Sequence, residues 1–242
     1  MHTRKTPTTA LAGASLALAL AGCGQLPATT GTAQTVEPPP AQATAAASPT
    51  KALDLLDTIP VKGRAPETGY DRDKFGSGWT DTNDNGCGTR QDILARDLVS
   101  VEYEGAEKCE VASGVLPYGP YTGEENIKFD ADGGYDLALD TEHIAALGDA
   151  WQKGAQQWTE TRREQFANDP ANLMMVDPSL NRAKGAADAA TWLPPNKAYR
   201  CTYVTKQTMV KAKYDLWMTA AEHAKITDLL TNCTIGTKGR QR

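Results

Sequence analysis

His143 is the residue best placed to do chemistry. The chain has three histidines. His2 lies in a leader expected to be removed, and His223 sits in Ala221-Glu222-His223-Ala224-Lys225, which reads as a solvated helix face. His143 instead follows a strand candidate and stands beside a carboxylate, in Leu139-Asp140-Thr141-Glu142-His143-Ile144. An imidazole that is neutral near pH 7 can take a proton from an attacking water. Glu142 offers a hard anionic oxygen and Asn181 a neutral amide oxygen, a pair that suits Mg²⁺ or a similar ion. Such an ion would neutralise charge developing on a substrate under attack. On local sequence alone, a His beside a Glu is equally an exposed ion pair. Asn172 and Asn181 are equally turn and cap residues.

A second constellation is Asp81-Thr82-Asn83-Asp84-Asn85-Gly86, with Asp92 at the twelfth position. It matches the start of a Ca²⁺ loop of EF-hand type, including the glycine at the sharp turn. Gly88 stands where such loops carry a bulky apolar anchor, so the competing reading is an Asp/Asn/Gly turn before a helix. Trp151 and Trp158, at helical spacing, read as a core stripe. No Gly-x-Ser-x-Gly elbow and no phosphate loop of Walker type occurs.

The wider pattern resembles an exported HNH endonuclease-like family, within the ββα-metal nucleases and related to the GmrSD-type C-terminal nuclease domain. The residues that carry the resemblance begin with Gly69-Tyr70, Asn85-Gly86-Cys87, Thr89-Arg90 and Pro120-Tyr121-Thr122-Gly123. They continue through Glu142-His143-Ile144, Phe166-Ala167-Asn168-Asp169, Asn172-Leu173, Asn181-Arg182-Ala183-Lys184-Gly185 and Trp192-Leu193-Pro194-Pro195-Asn196. The resemblance implies His143 as general base and Asn172 as the residue fixing the loop that carries it. Glu142 and Asn181 would hold the metal, Mg²⁺ first and Mn²⁺ as the alternative. Arg90, Arg182 and Lys184 become candidates for contact with phosphate. Glu142 stands where many HNH enzymes have Asp, and Asn181 where many have His; both keep an oxygen donor. Adjacent strand residues face opposite ways, so Glu142 and His143 can share a site only if the strand ends or twists between them.

The elements that must position these residues read as helix-rich α+β in one domain, with a small sheet and the embedded ββα motif. Helices are expected near 52–59, 89–98, from 144 through two segments to about 166, and at 186–193, 202–218 and 220–232. Strands are expected at 99–103, 110–113, 127–129, 135–140 and 172–176. Residues 62–88 read as an ordered loop.

Residues 1–22 have Arg4 and Lys5 before a short apolar run and end at Leu20-Ala21-Gly22-Cys23. That is a secretory leader closing on a lipobox, with Cys23 as the lipidated first residue. Residues 23–50 are Ala, Thr, Pro and Gln and read as a disordered tether, with the domain at 51–235 and a flexible tail at 236–242. The location is therefore extracytoplasmic, held at the membrane through the lipid alone, or secreted if the lipobox is unused. Four cysteines remain in an exported chain, which points to two disulfides with three possible pairings. Cys87–Cys109 and Cys201–Cys233 are favoured because each closes a local loop.

The chain carries 25 Lys and Arg against 30 Asp and Glu, a formal charge of −5. Loss of the leader removes Arg4 and Lys5 and makes it more negative still. Nucleic-acid binding rests on basic residues releasing counterions, so a nuclease reading needs a local patch. Arg162, Arg163, Arg182, Lys184, Lys197, Arg200, Lys206, Lys211 and Lys213 supply candidates. The expectation is a monomeric endonuclease acting on DNA, with RNA as the second candidate substrate, and with little sequence readout. The alternative is a non-catalytic envelope lipoprotein that uses the fold for binding.

Overall fold

Two antiparallel pairings organise the chain. The computed structural model describes residues 48–135 and 138–239. The expected leader, Cys23 and all but the last residues of the tether lie outside the described residues, as do 240–242 of the expected tail. The first helix, α1 (Pro49–Leu56), begins with proline at its first turn, and Ser48 accepts from the Lys51 amide at 3.2 Å. Both features suit a helix start.

The larger sheet is a meander of β1 (Val99–Glu104), β2 (Glu110–Tyr118) and β3 (Glu125–Asp130). Helix α2 (Thr89–Asp97) covers it through Ile93 and Leu94, which join Leu98, Val111, Leu116 and Phe129 in one buried cluster. Strand β2 continues through Tyr118, well beyond the expected 110–113, because its outer half pairs with β3. The Cys87–Cys109 disulfide ties the segment before α2 to the start of β2.

The smaller sheet pairs β4 (Asp140–His143) with β5 (Leu173–Val176), Glu142 opposite Met174 and His143 opposite Leu173. A strand reading Asp-Thr-Glu-His has no apolar alternation, which is why the expectation placed a strand at 135–140 instead. Burial of Leu173, Met174, Met175 and Val176 makes the pairing. Between the strands lie α3 (Leu147–Gln152) and α4 (Glu160–Ala167); after β5 comes α5 (Pro178–Lys184). This is a ββα unit with a helical insertion. Asp177 caps α5 by accepting from the Leu180 amide at 2.8 Å, with Pro178 at the first turn. The helix expected at 186–193 does not form. Asp188 instead accepts from the Ala190 amide and sends its other oxygen into the interior.

Helices α6 (Arg200–Lys213) and α7 (Ala220–Gly239) close the domain. The Cys201–Cys233 disulfide joins the start of one to the far part of the other, so the two run antiparallel. Helix α7 reaches Gly239, so the expected tail from 236 begins within a helix. His223 is half-buried, its Nε2 3.3 Å from the Leu56 carbonyl, rather than solvated. Trp151 and Trp158 pack with Phe166 in the core.

A buried ion cluster binds four of these elements. Lys153 and Lys211 are both 0% exposed. The Lys153 ammonium lies 2.6 Å from Asp149, 2.8 Å from Asp188 and 2.5 Å from Glu222. Lys211 meets Asp149 at 2.7 Å and also Glu222. Arg64 reaches Asp149 and Asp188 from the surface side. Three cations thus face three carboxylates. Burial alone would raise the Asp149 pKa, but Lys211 and Lys153 outweigh it and hold it down at about 2.

Removing one partner strands the others. Lys211→Met is expected to cost about 3–5 kcal/mol, read as a drop in the denaturation midpoint. The Asp149 pKa is depressed in the folded state, so its contribution is complete above the unfolded value and is lost as pH falls. Melting temperature should therefore decline between about pH 4 and pH 2, and less steeply in Asp149→Asn.

Candidate active site

His143 sits on a wall shared by two clefts of about 250 and 150 Å³. The larger is lined by Tyr70, Arg72, Glu142, Asn181, Arg182 and Lys184, among others; the smaller by Arg72, Phe75, Trp79 and Ala167. Glu142, His143 and Asn181 thus come to one cavity. Asn172 lies behind them, fully buried.

The imidazole is held on two sides. Its Nε2 is 2.9 Å from the Ala167 carbonyl, and the Trp79 ring stacks on it at 5.7 Å and 14°. A carbonyl only accepts, so Nε2 carries the hydrogen and Nδ1 keeps the lone pair. Burial, with the charges of Arg72 and Lys184, lowers the His143 pKa to about 3 and outweighs the carbonyl's opposite pull. The ring is neutral across the physiological range.

Its backbone is held as firmly. Asn172 accepts from the Ala145 amide at 2.8 Å and donates to the Ala145 carbonyl at 3.3 Å. The Asn172 carbonyl also accepts from the Ile144 amide at 2.8 Å. One asparagine therefore pins the two residues that follow His143.

Glu142 lines the same cleft, but its carboxylate has partners of its own. Its Oε1 accepts from the Tyr121 hydroxyl at 3.0 Å and lies 2.6 Å from the Lys184 ammonium. Lys184 also donates to the His143 carbonyl at 3.0 Å. Glu142 and Lys184 are 3% and 2% exposed. Burial raises the Glu142 pKa, and Lys184 works against that rise. Lys184, expected at the phosphate, is instead an internal counter-ion. Lys211 of the expected basic patch is internal as well.

Asn181 stands inside α5 rather than at a cap and donates to Asp140 at 3.1 Å. Arg182 hydrogen-bonds the Tyr135 hydroxyl and stacks on that ring at 5.0 Å while lining the larger cleft. Arg90, half-buried at the start of α2, lines neither cleft. The wall of the larger cleft is tight: a Cβ on Gly148 would come within 3.0 Å of Ala186.

Arg72 was not singled out by the sequence. It is exposed, makes no ion pair among the described residues, and borders both clefts beside His143. The buried Phe75 anchors the single turn Arg72–Phe75 that carries it. Nothing in a loop's periodicity marks such a residue.

The donor set beside His143 does not fit a divalent cation as it stands. Among the described residues no group of three His, Cys, Asp or Glu is placed to hold one. The one buried carboxylate in the cleft is already neutralised by an ammonium. The 81–92 loop is likewise closed on itself. Asp81 accepts from the amides of Asn83, Asn85 and Gly86, at 2.7 Å for the last, which lowers its pKa. Asn83 and Asn85 turn their amide nitrogens to Asp92 at 3.1 and 2.9 Å. A Cβ on Gly88 would lie 2.8 Å from the Trp79 carbonyl, so no bulky anchor fits there.

The family model described as GmrSD restriction endonucleases, C-terminal domain, matches residues 88–229. An "Uncharacterized secreted protein" of Arthroderma benhamiae is 36% identical over 188 residues, covering 77% of this chain and 86% of that protein. No solved structure matches.

Asn172→Ala leaves the Ala145 amide and carbonyl buried without partners. The expected cost is about 2–3 kcal/mol in chemical denaturation. Faster hydrogen exchange at the amides of Ile144 and Ala145 should accompany it.

Proposed function

Since the chain belongs to the family of GmrSD restriction endonuclease C-terminal domains, a family of nucleases, we propose that it hydrolyses phosphodiester bonds at the cleft beside His143. One observation carries the reading. The Nε2 contact with Ala167 leaves Nδ1 its lone pair, and His143 lines a cleft that also bears Arg72, a guanidinium with no ion pair among the described residues.

In this reading Nδ1 takes a proton from water as the water oxygen forms the new bond to phosphorus. The bond to the leaving oxygen breaks, and that oxygen is protonated from solvent at the cleft mouth. A base with so low a pKa is free of its proton at neutral pH but pulls weakly on the water. Charge stabilisation on the phosphate must then carry much of the rate, and preorganised cations do this well in a desolvated site. Arg72 and Arg182 supply it from the rim. Asn172 positions the base; Trp79 limits its rotation. The metal-dependent form of the reading, with Mg²⁺ or Mn²⁺ on Glu142 and Asn181, requires Lys184 to leave Glu142.

The substrate is DNA or RNA bound through its backbone, weakly and with strong salt dependence, because the chain is acidic overall. The two disulfides fit an oxidising compartment outside the cytoplasm. Export through the residue 1–22 leader, with lipid on Cys23, completes the proposal.

Plasmid DNA and RNA incubated with the full chain, with Mg²⁺, Mn²⁺ or chelator, test it. His143→Ala should lower cleavage by a factor of about 100 or more. Arg72→Ala should mainly weaken substrate affinity and flatten its salt dependence. Cleavage by folded His143→Ala at the wild-type rate would overturn the reading, as would no cleavage by the wild type under any metal.

A further inference from the structure

We infer that the Lys184 ammonium is the resident cation of the His143 cleft, occupying the place beside Glu142 that a divalent ion would take, so that lysine and ion compete for one carboxylate. The inference rests on the reading of this cleft as the phosphodiester site and deepens it.

The geometry is specific. Lys184 extends from the last turn of α5 and is buried almost completely, although its side chain is long and flexible. It ends between two oxygens, Glu142 Oε1 at 2.6 Å and the His143 carbonyl at 3.0 Å. Both are hard oxygen ligands of the kind that Mg²⁺ or Mn²⁺ takes. Tyr121 supplies Oε1 with a further donor at 3.0 Å. Asn181 stands one turn earlier on the same helix and lines the same cavity. A divalent ion brought to Glu142 would meet the ammonium at contact distance, where like charges repel strongly in a low-dielectric site.

Burying a carboxylate requires a cation, and Lys184 meets that requirement in the metal-free protein. The ββα unit can then fold without an ion. The consequence is a weak ion site, since every ion bound must first displace a well-made pair.

The test is ion binding rather than cleavage, so its failure is separable from failure of the nuclease reading. Mn²⁺ is titrated into the full chain by electron paramagnetic resonance, for wild type, Lys184→Met, Glu142→Gln and the double variant. Lys184→Met should bind Mn²⁺ at least about tenfold more tightly than wild type, and the double variant should lose that gain. Equal or weaker binding by Lys184→Met overturns the inference. So does a double variant that binds as tightly as Lys184→Met, since the ion then sits elsewhere, such as the 81–92 loop.

A wild-type measurement stands in if Lys184→Met fails to fold. Lys184 should resist reductive methylation by formaldehyde and borohydride, read by mass spectrometry, and become reactive in millimolar Mn²⁺. Unchanged protection in the ion would overturn the inference equally.

Discussion

A charge taken out of water must meet an opposite charge within contact distance, and that constraint arranges the centre of this protein. Glu142 is buried on β4, and the Lys184 ammonium at 2.6 Å answers it. Lys184 comes from α5, so the pair fixes the helix against β4. The same lysine holds the His143 carbonyl. One ammonium therefore sets the relation between the strand that carries the imidazole and the helix that carries Asn181 and Arg182. The Asp149, Asp188, Glu222, Lys153 and Lys211 cluster obeys the same rule on a larger scale. It joins α3, the segment after α5, α6 and α7, and Arg64 at its surface side supplies the third cation that balances the three carboxylates.

These two ionic centres frame the cleft. Gly148 and Asp149 are neighbours in α3, one lining the cavity and the other in the cluster. Lys184 and Asp188 flank the turn that closes its opposite side. The cavity walls are thus tied by short ionic contacts rather than by regular secondary structure, which is sparse here: β4 and β5 have four residues each. Asn172 does for the backbone after His143 what the lysines do for the side chains. A base whose ring, backbone and neighbouring helix are all held pays little reorganisation on meeting a substrate.

The sequence carried the class of fold and the main landmarks. Alternation and helical period located β1, β3, α2 and the α6–α7 pair, and local spacing paired the cysteines as the structure has them. Boundaries failed where tertiary contacts overrode local preference. The Ala-rich stretch after Gly185 has helical propensity, yet Asp188 is drawn to Lys153 and Arg64, and the chain turns instead. Strand β4, with no apolar residue at all, has no hydrophobic pattern to detect. Its partner β5 supplies the burial.

Residue types and their order singled out His143, Asn172, Glu142 and Asn181 only through their resemblance to the HNH pattern, since taken alone they read equally as an ion pair, turns and caps. They also settled that an exported, disulfide-bearing α+β domain was to be expected. Contacts between distant segments decided the rest. Whether a lysine faces solvent or a buried carboxylate, which imidazole nitrogen keeps its lone pair, and which loop cation borders the cleft depend on where Ala167, Tyr121 and Phe75 come to lie. Linear spacing holds no such information, since charge pairing acts through space and the partners are separated by dozens of residues along the chain.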